Sequence, residues 1–80
     1  MESVIQVEPL NDYMLKVAFS TGELKLFDVK PFLDKGMFQK LQDYKVFNQA
    51  YVDYGTVCWP GSLDIAPETL FDKGVSLSSE

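Results

Sequence analysis

The sequence contains no histidine and no arginine, a single cysteine at Cys58 and a single tryptophan at Trp59. Each absence removes a class of function. Without histidine the commonest general base is missing, so a Ser, Cys or Thr nucleophile has no ordinary activating partner, and no lysine is paired with a serine in a pattern that replaces it. Without arginine the bidentate fork that reads phosphates and guanine edges is missing, which disfavours direct DNA or RNA binding. One cysteine cannot form an internal disulfide, and with no histidine beside it a zinc site has only oxygen ligands for its remaining positions. No stretch approaches the ~18 consecutive apolar residues of a membrane helix. The start Met1-Glu2-Ser3-Val4-Ile5 has neither the basic region nor the apolar run of a signal peptide. The expectation is a soluble chain kept in a reducing cytoplasm.

Twelve carboxylates against seven lysines give a formal charge of −5 over 80 residues. That balance suits a basic protein partner, or serves solubility alone. The length allows one domain, and 46% hydrophobic residues, with six Phe and four Tyr, are enough to fill one small core without disulfides or metal.

The pattern along the chain is mixed. Val4–Glu8 alternates and meets turn chemistry at Pro9-Leu10-Asn11-Asp12. Tyr13, Leu15, Val17 and Phe19 then share one strand face while Met14, Lys16 and Ala18 share the other. Ser20-Thr21-Gly22-Glu23 turns the chain into Leu24–Val29, completing a β-hairpin. That strand carries Leu24 and Leu26 on one face and Phe27 and Val29 on the other, so both faces are expected to be covered, by helices or by a second subunit. Lys30–Gly36 reads as one short helical turn, Met37–Leu41 as another that buries Phe38 and Leu41, and Asp43 as the cap of a turn through Phe47. Gln49–Tyr54 and Thr56–Trp59 form a second hairpin ended by Pro60-Gly61. Pro67 opens a helix that stops at Gly74, and residues 75–80 read as a loose tail after a domain of residues 1–74. The fold class is α+β: short antiparallel hairpins and an N-terminal strand, with short helices packed on them.

Little here supports chemistry. Cys58 lies in a Val-Cys-Trp strand, where a thiol behaves as a small buried hydrophobe. Asp28, Asp53 and Asp64 could gather around a hard cation or a small ligand, but no loop has alternating acidic ligands, and turn capping is the favoured role. No glycine series cradles a phosphate. The chain is therefore read as a non-enzyme without cofactor or metal. Trp59-Pro60-Gly61-Ser62-Leu63-Asp64-Ile65-Ala66-Pro67 is its most distinctive segment. As a binding edge it offers Trp59, Pro60 and Asp64, with Tyr51 and Asp53 on one face of the adjoining strand. As a structural element it instead sends Trp59 into the core and leaves Asp64 to accept backbone N–H groups near the last helix.

Pro9-Leu10-Asn11-Asp12-Tyr13, Phe19-Ser20-Thr21-Gly22-Glu23, Phe27-Asp28-Val29-Lys30-Pro31 and above all Val57–Leu70 resemble the small bacterial domain-of-unknown-function family 2442, over about residues 2 to 74. The resemblance implies a compact α+β domain without established enzymatic activity, often encoded beside a second small protein and antitoxin-like. Two readings follow: an acidic protein-binding module, alone or as a homodimer, and a small-ligand or metal-binding domain that uses Asp28, Asp53 or Asp64.

Overall fold

The computed structural model describes residues 3–77 and arranges them as two antiparallel sheets closed over one core. The first sheet holds β1 (Val4–Leu10), β2 (Met14–Phe19), β3 (Leu24–Asp28) and, from the far end of the chain, β7 (Val75–Ser76), in the order β1-β2-β3-β7. The second holds β4 (Tyr51–Asp53), β5 (Thr56–Trp59) and β6 (Leu63–Ile65) in sequence order. Between them run 3-10 turns at Lys30–Phe32 and Gly36–Gln42, then α1 (Tyr44–Phe47), while α2 (Pro67–Lys73) leads into β7. The expected α+β class is the observed one.

Alternation decides which face of the first sheet turns inward. Leu15, Val17 and Phe19 of β2 are at most 1% exposed, as is Phe27 of β3, and Val29 just beyond it is wholly buried. The second sheet contributes Val57, Trp59, Leu63 and Ile65, and the helical segments add Leu41, Phe47 and Leu70. The sheets are tied where the Val4 N–H donates to the Gly55 carbonyl at 2.8 Å, at the tip of the β4–β5 hairpin.

The outer face of the first sheet is left open by the chain itself, so of the two expected covers no helix of the described residues supplies one. Glu8, Lys16, Leu26 and Val75 form one row across its four strands, and Val75 is 67% exposed. The sequence boundary at residue 74 also shifts. Val75 pairs with Leu26 and Ser76 with Lys25, so the presumed tail supplies an edge strand; residues 78–80 of that tail lie outside the described residues.

Two turns carry more structure than their sequence announces. The β1–β2 connection is a 3-10 turn, Asn11–Tyr13, in which Asp12 and Tyr13 both take left-handed φ, 63° and 58°. That conformation is unfavourable for tyrosine. It is held by the Tyr13 hydroxyl, which donates to the Gln42 carbonyl at 2.5 Å, and by ring edges set against Tyr44 and Phe47. At the start of α1 the Asp43 carboxylate accepts the Lys45 N–H at 3.0 Å, the cap expected from sequence.

Candidate functional site

The second sheet places the segment singled out in the sequence, and it separates residues that had been grouped. The chain does not run from β5 through a loop to α2. Pro60, Gly61 and Ser62 form a tight connection, with Gly61 at φ 94° and Ser62 at φ 64°, and Leu63–Ile65 returns as β6, pairing Trp59 with Leu63 and Val57 with Ile65. Gly61 fits because φ near 90° excludes a Cβ at little cost only for glycine.

Alternation then sorts the side chains. Trp59 faces the core, is 0% exposed, and donates its indole N–H to the Phe47 carbonyl at 2.9 Å. It is a packing anchor, and its place in a partner-binding edge is withdrawn. Pro60 stays exposed at the turn. The second structural expectation fails in the other direction: Asp64 does not cap α2, whose N-cap is Ala66 without a side-chain bond. Asp64 is instead exposed on the outer face of β6, directly across from Cys58, which itself pairs with Tyr51 of β4.

Tyr51, Cys58 and Asp64 thus form a row across three strands, with Asp53 two residues along from Tyr51. These residues, with Tyr54 and Ser62, line an open cleft of about 510 Å³. Tyr51 is 44% exposed and Tyr54, at the Tyr54-Gly55 turn, is 92% exposed. Tyr54 is the member that sequence reasoning passed over, because it was assigned to the strand. The following Gly55 was the available signal, since a hairpin turn with positive φ at both central positions, 53° and 72°, projects its first residue outward.

The charged side chains that line the cleft are Asp53 and Asp64. Asp53 uses Oδ1 to accept the Tyr54 N–H at 3.0 Å, the turn-capping role expected of it, and keeps its charge at the surface. Among the described residues no lysine forms an ion pair with Asp53 or Asp64; the salt bridges are those of Lys30 with Asp12 and Asp28, both at 3.1 Å. The Lys40 ammonium lies beside Gly61, one of the residues lining the cleft. At the floor, the Cys58 thiol is nearly buried, 3.7 Å from the Asp53 carbonyl oxygen. Loss of solvent raises its pKa above the usual thiol value, and the negative charges of Asp64 and Asp53 raise it further. A thiol held protonated is a poor nucleophile and a poor metal ligand.

Asp28 does not join this group. It sits at the end of β3 in the other sheet, accepts the Lys30 N–H at 2.9 Å and pairs with the Lys30 ammonium. Among the described residues no three His, Cys, Asp or Glu side chains are grouped to hold a metal ion. No helix of the described residues is long and apolar enough to cross a membrane.

Two paired sheets and short helices define a small α+β domain with an acidic, aromatic cleft on its second sheet. The chain belongs to the family described as Protein of unknown function (DUF2442), whose family model matches residues 4–76. No curated protein and no solved structure matches the chain.

Proposed function

We propose that this domain is a non-catalytic protein-binding module, the acidic half of an antitoxin-like pair, which presents the outer face of β4–β6 to a basic segment of a partner protein. The observation that supports this reading is the cleft itself, where the carboxylates of Asp53 and Asp64 carry no ion-pair partner among the described residues and stand beside two exposed tyrosine rings. A lysine or arginine side chain of a partner fits both features. Its charge is attracted to the carboxylates, and its stem or guanidinium plane packs on a tyrosine face. With Trp59 in the core, recognition in this reading rests on Tyr51, Asp53, Tyr54 and Asp64, and Pro60 stiffens one rim.

The test is calorimetric. A protein that co-purifies from native cells is titrated into the wild type and into Asp64→Asn, each at low and high salt, after a thermal melt has shown the variant folded. Removing the charge should weaken binding by about fivefold, and added salt should weaken the wild type more than the variant, since surface charges are screened beyond ~8 Å at physiological ionic strength. Equal affinities in both comparisons would refute the reading.

A further inference from the structure

Two of the seven lysines meet at one cavity. Lys30 is committed to Asp12 and Asp28, and Lys25 donates to the Phe71 carbonyl at 2.6 Å while lying over the Phe71 ring. Like those of Lys16, Lys40 and Lys45, the ammonium groups of Lys35 and Lys73 make no ion pair or hydrogen bond with any described residue, although carboxylates outnumber lysines in this chain. Both line the same cavity, about 350 Å³ in volume, between the end of β3, the 3-10 turn at Lys30–Phe32 and the last turn of α2. Its remaining walls are Phe27, Pro31, Phe32 and Asp28.

The walls are shaped for an apolar body. The Phe27 and Phe32 rings lie 5.7 Å apart at 37°, and Pro31 extends this surface outward. Asp28 adds no free charge, because its carboxylate accepts the Lys30 N–H and pairs with the Lys30 ammonium. What remains among the lining side chains is two lysines with no ion pair to a described residue, beside the apolar surface of Phe32 and Pro31. An uncharged ligand leaves those groups unused, a cation is repelled, and a polyphosphate has no apolar part to bury. The volume lies at the small end of ligand-binding cavities.

We propose that this cavity binds a small monocarboxylate with an aromatic body, the ring against Phe32 and Pro31, with the buried Phe27 ring behind them, and the carboxylate between Lys35 and Lys73. The site shares no residue with the acidic cleft, and its charge has the opposite sign. It therefore stands or falls independently of the partner-binding reading, and it uses lysines where the sequence suggested surface carboxylates.

The probe is 4-phenylbutyrate, titrated into the full-length ¹⁵N-labelled chain and followed by amide chemical shifts. Saturable shifts are expected in residues 27–35 and 70–74, with 4-phenylbutanol, which lacks the charge, binding about tenfold more weakly. The double variant Lys35→Gln/Lys73→Gln should lose about tenfold in affinity with an unchanged melting temperature. Lys16→Gln/Lys45→Gln, which alters net charge equally, should retain the wild-type affinity. Shifts that fail to saturate, shifts centred on other residues, equal binding of the alcohol, or equal losses in the two double variants would each overturn the site. A peptide ending in Phe with a free carboxylate serves as the remaining arm. Tighter binding of that peptide than of 4-phenylbutyrate would overturn the small-acid assignment and make the cavity a reader of chain termini.

Discussion

Trp59→Phe tests the placement of the only tryptophan most directly. The indole is fully buried, its ring centroid 6.3 Å from that of Phe47 and tilted by 33°, and its N–H donates to the Phe47 carbonyl, which also accepts the Ala50 N–H at 3.3 Å. Phenylalanine keeps an aromatic ring but removes the donor. Losing this hydrogen bond, with the carbonyl still accepting the Ala50 N–H, costs about 0.5–1.5 kcal/mol, and the volume lost from a close-packed site adds about 1 kcal/mol or more. The expected loss is thus about 1.5–3 kcal/mol. For a domain of this size total stability is about 4–12 kcal/mol, so the variant should remain folded in the cold but melt roughly 10–20 °C lower. Urea titration followed by circular dichroism measures the loss without relying on the residue removed. Before mutation, the wild-type tryptophan emission should be blue-shifted and resistant to acrylamide. A loss under about 0.5 kcal/mol, or emission typical of water, would show that Trp59 is not the core anchor and would restore it to the partner-binding surface.

Gly74→Ala should destabilise by about 1–3 kcal/mol in a thermal melt, because a Cβ there would meet the Leu70 carbonyl oxygen at 2.6 Å and Lys25 Cβ at 3.1 Å, although the backbone conformation itself suits alanine. Asp43→Ala removes the α1 cap and should lower stability by about 1 kcal/mol in urea. Cys58 should react slowly with a thiol reagent in native buffer and promptly in denaturant; native labelling at the rate of an exposed thiol would contradict its burial. Its raised pKa also fixes a sign. The unfolded thiol ionises first, near its ordinary value of 9.0, so this group's contribution to stability is intact below that pH and declines as pH rises above it. Cys58→Ser, which scarcely ionises in this range, should show a shallower alkaline decline than the wild type in melts from pH 8 to 10.

The first hairpin was legible because a half-buried strand writes itself as alternation: Leu15, Val17 and Phe19 could face only one way. The cap at Asp43, the stop at Gly74 and the β4–β5 hairpin were legible for similar local reasons. What escaped the sequence depends on partners far along the chain. Val75–Ser76 carries no strand pattern of its own and becomes a strand because β3 offers it an unpaired edge. Leu63–Ile65 is three residues long, too short for periodicity to register, although Leu63 and Ile65 point inward around an outward Asp64. The site was half legible. Tyr51, Asp53 and Asp64 do share a cleft, yet Trp59 and Asp64 lie on opposite faces, because two strands joined through Pro60-Gly61-Ser62 alternate where a loop would not.

That alternation also bears on what membership of this family conveys. Within Val57–Leu70, the stretch that most closely resembles the family, Val57, Trp59, Leu63, Ile65 and Leu70 are core residues. Thr56, just before it, has its hydroxyl buried against the Ile65 carbonyl, Gly61 permits the turn, and Pro67 opens α2. Among the acidic residues there, Asp64 faces the cleft and Glu68 the first turn of the helix. The signature is therefore mostly a recipe for folding the second sheet against the first, and a match to it transmits architecture more readily than task. A chain can keep every one of those core and turn residues while exchanging Tyr51, Asp53 and Tyr54, and the fold would persist with a different cleft. By the same reasoning, Tyr51→Ala and Tyr54→Ala should each leave the melting temperature within about 4 °C of wild type, since surface substitutions usually shift stability by no more than about 0.5 kcal/mol. If the cleft binds a basic segment, both variants should weaken the co-purified partner by several fold. Variants that melt early would show that these rings help to hold the sheet together; variants that melt normally and bind normally would remove the tyrosines from the recognition surface.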